Sequence, residues 1–371
     1  MKFIRSDLIG FSLLLTTLLV SHLAYGETTH QSGTAKLIVS LVTDKPVVML
    51  GEPVWLSLKV KNVSKKEMGI LVGGDYQNKY ARPDSFALSV LDNHGVVIPS
   101  EEVFNMGGMT RIQELQAGQE YVFRLLLSDW VKIEKAGVYK IKASKRLAIR
   151  FPPYQKQLEV NDIDISEKLS VTMTATDMPR MGVDIAAWAN TILADSENDY
   201  ALKPVEESQK ALAAISDNRA IPYLLKILKL PSYSKKFFAL SNLAKYDSDE
   251  AVAALKGMVD VGNDELQDRA VWRASDISLV PALQVQAFHL LSESPRPANR
   301  QFVLEHRHSQ IDEFRLTAVN MLIKHPSEVS SRYLAEMRDD SSPLIREQIK
   351  RYFSDEVTRQ NAASTVPLTE K

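Results

Sequence analysis

Two histidines, His306 and His308, come closest in this chain to a catalytic or metal-binding pattern. Imidazole nitrogens bind zinc and act as general bases near neutral pH. On a helix, side chains two positions apart do not face each other, so the two histidines could share a metal ion only in an extended segment. The sequence fixes no third ligand nearby. We therefore interpret the pair as part of a solvated helix end, and we expect no metal and no cofactor.

The common catalytic and nucleotide-binding motifs are absent from the sequence. It contains no G-x-S-x-G, no H-E-x-x-H, no phosphate-binding loop and no dinucleotide-binding glycine pattern. The acidic run Asn161-Asp162-Ile163-Asp164 offers oxygen ligands for calcium, but it lacks the glycine and the distal Glu of an EF-hand loop. An ordinary loop before the last strand is the preferred interpretation. The chain is accordingly expected not to be an enzyme.

The composition limits the partners and the chemistry. The 45 Lys and Arg residues against 46 Asp and Glu residues leave a formal net charge of −1, which gives no bulk electrostatic reason to bind nucleic acid or an anionic membrane. Because the sequence has no cysteine, disulfides, thiolate catalysis and Cys-bound zinc are excluded. The length of 371 residues allows two domains.

A helix, a polar turn and a second helix are predicted between Ala211 and Lys229, where apolar residues follow the helical period. The pattern recurs, with anchor triplets Ala211-Leu212-Ile215, Ala239-Leu240-Leu243, Ala287-Phe288-Leu291 and Ala318-Val319-Leu322. A helical pair repeating at about 30 residues is typical of an α-solenoid. We predict such repeats over 183–356, with an inserted helix in 264–280. Leu240 is predicted to lie in the shared core and Lys235 on the outer face.

The second helices of these repeats carry the residues that we consider candidates for binding a partner. Tyrosine and arginine are enriched among the residues that dominate interface energies. The candidates are Tyr223, Lys226, Arg296, Arg300, His306, Arg332 and Tyr333. A charged helix face that is simply solvated would explain the same residues, and both interpretations stay open.

Before the helical region, apolar and polar residues alternate, which predicts an antiparallel β-sandwich over 35–175. Predicted strands include the segments 37–42, 54–60, 85–92, 96–98, 121–127, 139–143 and 169–173. About eight short strands separated by turn signals are typical of immunoglobulin-like sandwiches. The predicted fold class is therefore an immunoglobulin-like β-sandwich followed by a helical repeat domain.

The first 26 residues are predicted to be a signal peptide. Lys2 and Arg5 form a basic start, an apolar run covers 8–20, and Ala24 and Gly26 are the small residues before a cleavage site. An uncleaved membrane anchor is the alternative, but the run is short compared with the ~20 residues of a membrane span. No membrane span is expected after cleavage. We expect an exported chain, located in the periplasm or outside the cell.

Three shorter segments are predicted to lack regular structure. Residues 27–34 are expected to form a flexible mature terminus, and 176–182, which contain Pro179 and Gly182, a linker between the two domains. Residues 357–371 show no apolar periodicity and are expected to be disordered.

The helical region resembles short bacterial HEAT repeats of the phycobilisome-lyase type. The resemblance covers about 204–356 and rests on the small-Leu-x-x-Leu pattern, the short polar turn and a second helix that opens on Ala or Pro. It implies a helical solenoid. It also raises an enzyme or an enzyme accessory as an alternative function, which the predicted export signal weakens because bilin attachment is intracellular.

The β region resembles bacterial immunoglobulin-like modules, including the BsuPI type of proteinase inhibitor. The matching patterns are Val60-x-Asn62, Phe86-x-Leu88-x-Val90-x-Asp92-x-x-Gly95, and Leu115-x-x-Gly118 before Tyr121-x-Phe123. They are turn and core positions, and so they imply the sandwich more than the inhibition. The favoured function is an exported, non-catalytic interaction or scaffold protein of the cell envelope. It would bind a protein or polysaccharide partner through both domains, and inhibition of a proteinase remains a further alternative.

Overall fold

The structure is a computed structural model that describes residues 27–73, 86–100, 110–152, 154, 161–196, 202–260 and 282–364. The described residues divide into two compact units. The first contains those of Met1–Pro46, Val54–Lys132 and Gly137–Thr172, and the second those of Val47–Pro53, Ile133–Ala136 and Met173–Lys371. The first unit is built of β-strands and the second mainly of helices, so the predicted fold class is confirmed.

In the β unit, four antiparallel strands form the first sheet. They are β1 (Thr28–Ser32), β2 (Ala35–Thr43), β4 (Trp55–Asn62) and β9 (Glu120–Leu126), in the order β1-β2-β4-β9. The register pairs Val39 with Val60 and Leu58 with Phe123. Because inward positions alternate along each strand, these apolar residues share one face of the sheet.

A second sheet in the β unit contains β11 (Asn161–Thr174), β10 (Gly137–Arg150), β5 (Met68–Gly73) and β8 (Thr110–Leu115), in that order. β6 (Phe86–Leu91) also pairs with β10, and β7 (Val97–Ile98) pairs with β6. The ring of Phe86 meets that of Phe123 at 5.2 Å between centroids, edge to face, so the two sheets pack against each other through aromatic side chains.

Two predictions for the β unit are wrong. Residues 28–32, expected to be flexible, form β1, because Gly33, at a φ of 54°, lets the chain turn back onto β2. The acidic run that begins at Asn161 is not a loop but the start of β11. There Asp162 and Asp164 both approach the Arg146 guanidinium, at 3.2 and 3.5 Å.

The helical unit contains ten described helices. They are α1 (Met178–Ala194), α2 (Lys203–Ala214), α3 (Ile221–Leu228), α4 (Tyr233–Leu243), α5 (Asp249–Asp260), α6 (Ala282–Ser292), α7 (Pro297–Glu305), α8 (Asp312–Lys324), α9 (Glu328–Glu336) and α10 (Pro343–Ser364). The segment Val47–Pro53, with β3 (Val47–Met49), belongs to the same unit. None of these helices is long and apolar enough to cross a bilayer.

The helices pack as pairs whose first members stack on one another. α4 packs on α6, α6 on α8, and α8 on the final helix α10. The second members are α3, α5, α7 and α9. All four predicted anchor alanines are buried, at 1% exposure or less, together with the Leu, Phe or Val that follows each of them. Small residues at these positions allow neighbouring helices to approach closely, which confirms the predicted repeat pattern.

Two predicted boundaries of the helical region are wrong. The segment 176–182 is not a linker, because α1 already begins at Met178. Asp177 caps that helix by accepting a hydrogen bond from the Arg180 N–H at 3.1 Å, and Pro179 lies in the first turn, where its missing N–H costs nothing. At the other end, α10 continues through 357–364, which were expected to be disordered. The predictions for 1–26, 264–280 and 365–371 lie outside the described residues.

Lys235 was predicted on the outer face of α4 and is instead completely buried, whereas Leu240 lies in the core as predicted. Ser232 caps α4 and accepts a hydrogen bond from the Lys235 N–H at 3.3 Å, which fixes the first turn of the helix. The ammonium group of Lys235 contacts the backbone carbonyl of Asp195 and lies 3.3 Å from its carboxylate. A helical period alone assigns the wrong face to this lysine, because its partner lies at the end of another helix.

Candidate functional site

Cations and aromatic rings are repeatedly stacked on the second helices of the repeats. We call this set the second-helix surface: Tyr223, Lys226, Lys256, Phe302, Arg307, Arg332 and Tyr333. The helices that carry it are neighbours, since α3 packs on α5, and side-chain contacts link α5 to α7 and the end of α7 to α9.

On α3, Tyr223 and Lys226 form the first cation–ring contact of the surface. They lie three positions apart, so both point to the same side of the helix. The Lys226 ammonium lies 5.5 Å from the centre of the Tyr223 ring, and Lys226 is exposed while the ring is half-buried. The ring thus orients the charge and leaves it open to solvent.

A second contact joins two neighbouring repeats. Lys256 of α5 places its ammonium 5.0 Å from the centre of the Phe302 ring on α7. Both side chains are half-buried. Neither residue is among the predicted candidates. The signal that could have found them is their position, because each lies on a second helix like the chosen candidates.

A third contact uses two arginines on one ring. The guanidinium carbons of Arg307 and Arg332 lie 4.5 and 5.4 Å from the centre of the Tyr333 ring. Arg307 is held further by the Leu304 carbonyl at 3.1 Å and by the Glu336 carboxylate at 3.5 Å. Arg332 is exposed. Arg307 was not among the predicted candidates, although Tyr333 and Arg332 were.

Arg296, another predicted candidate, is engaged by acidic residues. Its guanidinium contacts Asp247 and lies 2.8 Å from Asp249, in the turn and first residue that lead into α5. The hydrogen bond to Asp249, then that to Asp247, raises the pKa of the Arg296 guanidinium. Arg296 therefore links two repeats through these ion pairs, and it is less available than the exposed Arg332 for binding a partner.

Arg300 is half-buried on α7, and its Nε atom is buried without a hydrogen-bond partner among the described residues. Among the residues that the structure describes, Arg300 makes no ring contact of the kind that defines the second-helix surface. The structure therefore places four of the seven predicted candidates in cation–ring contacts, as the separate pairs Tyr223–Lys226 on α3 and Arg332–Tyr333 on α9, and leaves Arg296, Arg300 and His306 outside that set.

His306 caps the end of α7 and is half-buried against aromatic rings, whereas His308, in the turn that follows, is exposed as expected for a solvated helix end. The ring centre of His306 lies 4.5 Å from that of Phe302 and 5.4 Å from that of Phe288. Its Nδ1 atom lies 2.9 Å from the Phe302 carbonyl, which assigns the proton to Nδ1 as the donor. Within the described part of the chain, no three His, Asp or Glu side chains are placed to hold a metal ion.

The charge of the second-helix surface is positive. Its four cations are Lys226, Lys256, Arg307 and Arg332, and among the described side chains Glu336 is the acid that contacts them. This excess belongs to the seven residues of the surface, since the same helices also carry acids that include Asp249, Glu250, Glu305, Glu328 and Glu336, and the whole chain has a net charge of −1. Such a patch attracts negatively charged partners and steers their approach.

Comparisons with known proteins give no family. No family model and no curated protein matches the chain. Among solved structures, the CARDB domain of a Pyrococcus furiosus protein in complex with di-metal ions is 14% identical, covering 39% of this chain and 99% of its own, with a TM-score of 0.20. A designed armadillo repeat protein in complex with a (KR)4 peptide is 14% identical over 48% of this chain and 99% of its own, with a TM-score of 0.25.

A third similar structure is the native conformation of alpha-2-macroglobulin from E. coli. It is 11% identical, covers 86% of this chain, and has a TM-score of 0.21. This chain spans 24% of the length of that protein. At such identities and TM-scores these likenesses carry no argument, so the architecture rests on the strands and helices described above.

Proposed function

We propose that this chain is a non-catalytic binding protein whose helical unit holds an acidic protein partner on the second-helix surface. The observation that carries the proposal is the stacking of four cations on three rings contributed by successive repeats. The stacked guanidinium groups and ammonium groups lose little side-chain freedom when a partner binds, because the rings already restrict them.

A protein partner is favoured over a polysaccharide because of the chemistry of the surface. Arginine forks bind carboxylates in pairs of parallel hydrogen bonds, and Tyr and Arg are the residues that dominate protein interfaces. Arg332 and Tyr333 lie side by side on α9, with Arg332 exposed. An acidic loop or helix of a partner would meet these groups directly.

We also propose a finer classification for each unit. The helical unit is of the HEAT type, supported by its helix pairs and buried anchor alanines. The β unit is a bacterial immunoglobulin-like module, supported by its two sheets, in which the strand pairs whose register is described are antiparallel. Its role as a proteinase inhibitor would need a protruding loop, and the glycine-rich segments 74–76 and 105–109 lie outside the described residues. An enzyme accessory has no specific observation in its favour.

Export to the cell envelope remains part of the proposal. It is supported by the basic start, the apolar run and the small residues of 1–26. Intact-mass measurement of the protein isolated from the producing cells tests it, and a mature chain that begins near Glu27 is the expected result. A chain that still carries Met1 outside the cytoplasm would contradict the predicted cleavage.

Quantitative crosslinking tests the binding proposal. The purified chain is used as bait in extracts of the cells that encode it, and captured proteins are compared for wild type, a Lys226→Glu/Arg332→Glu variant and a Lys203→Glu control. Lys203 is exposed on α2, a first helix, so the control changes charge away from the surface. We expect an acidic protein whose capture falls about tenfold or more in the double variant and is weakened by salt.

Equal capture by the double variant and the Lys203→Glu control would overturn the proposal. Capture of a polysaccharide in place of a protein, lost in the same double variant, would keep the surface and replace the partner class. In both cases circular dichroism must show that the variants retain the wild-type helix content.

A further inference from the structure

A basic depression of 590 Å³ lies where the chain leaves α9 and enters α10. Arg338 lines it from the turn after α9, and Arg346, Lys350 and Phe353 line it from α10. Its volume falls within the roughly 300–1,000 Å³ of small-ligand pockets. None of the residues of the second-helix surface lines it, so it is a separate feature of the helical unit.

Two of the cations in this depression are held in place. The guanidinium carbon of Arg338 lies 4.2 Å from the centre of the Phe353 ring, so the group is stacked and its N–H edge stays free of the ring. Arg346 donates through Nη1 to the carbonyls of Asp340 and Ser341, at 2.6 and 2.9 Å. These contacts orient the arginine towards the turn through neutral acceptors, and the Asp340 carboxylate, which Arg315 also holds, interacts electrostatically with the Arg346 charge.

The positive charges of the depression repel one another. Arg346 and Lys350 lie four positions apart on α10, a spacing at which like charges destabilise a helix. Glu347, the one acid in the lining, lies 3.9 Å from Arg351 in an exposed pair on the same helix. An anion bound between Arg338, Arg346 and Lys350 would relieve this repulsion.

We propose that this depression binds the side-chain carboxylates of an acidic peptide segment with an apolar residue between its acids. Arg338 would bind one carboxylate through the N–H edge of its guanidinium group, because guanidinium and carboxylate can form two parallel hydrogen bonds. Lys350 and Arg346 would hold a second carboxylate. The half-buried ring of Phe353 offers an apolar surface for the residue between them.

Fluorescence anisotropy with a labelled Glu-Glu-Leu-Glu-Glu peptide tests the proposal on the full chain. We expect saturable binding of this peptide and none of Gln-Gln-Leu-Gln-Gln, which has the same shape without charge. Arg338→Glu and Lys350→Glu should each weaken binding at least about tenfold. Arg338→Lys keeps the charge but loses the two-bond geometry, and it should weaken binding by an intermediate factor.

Arg351→Glu is the matched control, because Arg351 lies on the same helix, is 71% exposed and does not line the depression. It should change the affinity by about twofold or less. Equal losses in Arg351→Glu and Lys350→Glu would mean general attraction to a basic helix and would overturn the proposal. Displacement of the peptide by inorganic phosphate at the same concentration would also overturn it, in favour of a simple anion site.

The Lys226→Glu/Arg332→Glu variant separates this site from the second-helix surface. Peptide binding that survives in this variant supports the depression as an independent site. Peptide binding that disappears in it, with Lys350→Glu unaffected, would place the acidic peptide on the second-helix surface and overturn the inference. Circular dichroism of each variant confirms that the helices remain folded.

Discussion

Both units of the chain bury neutral and charged side chains, and the most buried polar side chain of each unit, Asn62 or Lys235, is satisfied in a different way. In the β unit the fully buried Asn62 is neutral, and its amide donates to the carbonyls of Lys66 and Leu115 at 2.9 Å each. In the helical unit the most buried polar side chain, Lys235, is charged. Lys235 faces Asp195, and Arg315 faces Asp340 with both side chains less than 10% exposed.

The difference follows from the secondary structure. The backbone groups of a strand form hydrogen bonds with the neighbouring strands. A neutral amide such as that of Asn62 is therefore enough to satisfy the few carbonyls left unpaired where two strands diverge. A helix leaves its last carbonyls without partners. Lys235 contacts the carbonyl of Asp195, which caps the end of α1, and Arg315 of α8 donates to the Asp340 carboxylate at 2.8 Å, in the turn that follows α9. Long cationic side chains therefore tie helix ends to neighbouring helices.

The largest expected effect comes from breaking a buried charge pair. Lys235→Met keeps the length and apolar stem of the side chain but removes the cation that faces Asp195. Removing one partner of a buried pair typically costs about 3–5 kcal/mol. Lys229→Met, an exposed lysine at the end of α3, should stay within about 0.5 kcal/mol. Urea unfolding of both variants measures the difference.

A double variant sharpens this result. If the loss comes from the unpaired carboxylate, adding Asp195→Asn to Lys235→Met should recover part of the free energy of unfolding. No recovery would mean that packing of the lysine stem, and not the charge pair, explains the burial. A small loss in Lys235→Met alone would contradict the contrast between the two units.

The next effect tests the neutral case. Asn62→Ala removes the donors to two carbonyls and the acceptor for the Ser64 N–H, at 2.8 Å, inside the β unit. Leaving buried backbone groups unsatisfied costs about 1–3 kcal/mol. Lys61→Ala, on the exposed face of the same strand, is the control and should change stability by about 0.5 kcal/mol or less. A loss at Asn62 as large as that at Lys235 would remove the distinction.

These contrasts also explain what the sequence could predict. The anchor triplets were identified correctly because burial on one face of a helix repeats with the helical period. The inward residues of β4 and β9 were identified correctly because burial alternates along a strand. Lys235 was missed because its partner is distant in sequence, whereas β1 pairs with the adjacent strand β2 but was missed because its polar residues show no apolar alternation. Lys235 meets Asp195, and the polar strand β1 is tied to Glu167 by Thr28 at 3.0 Å and His30 at 3.1 Å.

For the candidate site, the sequence indicated suitable residue types but not which of these residues contact one another. Tyr333 and Arg332 are neighbours in sequence, so their proximity could be predicted. Lys256 and Phe302 lie on different repeats, with 261–281 between α5 and α6 outside the described residues. Arg296 has the same residue type as Arg332 but meets the acids of an earlier turn. A single sequence cannot separate these two arginines.

A smaller effect on the free energy of unfolding is expected at acidic pH. The hydrogen bonds from Arg315, at 2.8 and 3.0 Å, hold the pKa of the Asp340 carboxyl below its usual value, and burial opposes them. A lowered folded-state pKa gives stability that is complete above the unfolded pKa of about 4 and is lost as the pH falls through the folded-state pKa. The loss should be partial, since Asp312 and the Ser341 hydroxyl also hold Arg315.

Unfolding in urea between about pH 6 and pH 3 measures this contribution. Asp340→Asn should show a shallower fall in the free energy of unfolding over this range than the wild type. Asp339→Asn removes a neighbouring carboxylate that is exposed, and it is expected to follow the wild-type curve. Identical curves for Asp340→Asn and the wild type would show that the pair with Arg315 contributes nothing to the pH dependence.

The smallest effect is expected where a buried polar group has nothing to pair with. Tyr246 is 5% exposed, and its hydroxyl has no hydrogen-bond partner among the described residues. Tyr246→Phe should therefore change stability at neutral pH by about 0.5 kcal/mol or less, or stabilise the protein, because no partner is left unsatisfied. A loss of about 2 kcal/mol would instead require a bound water or another partner at this hydroxyl.

The stability of the wild type and that of the Tyr246→Phe variant should differ further at alkaline pH. Burial, aided by the charge of Asp217, raises the pKa of Tyr246 to about 12. A raised folded-state pKa gives stability that is present below the unfolded value of about 10 and is lost as the pH rises towards 12. Tyr246→Phe lacks this loss, so its stability should fall less steeply than that of the wild type above about pH 10. Tyrosinate absorbance should show one fewer late-titrating phenol in the variant, and unchanged titration would mean that Tyr246 ionises while the helical unit is already open.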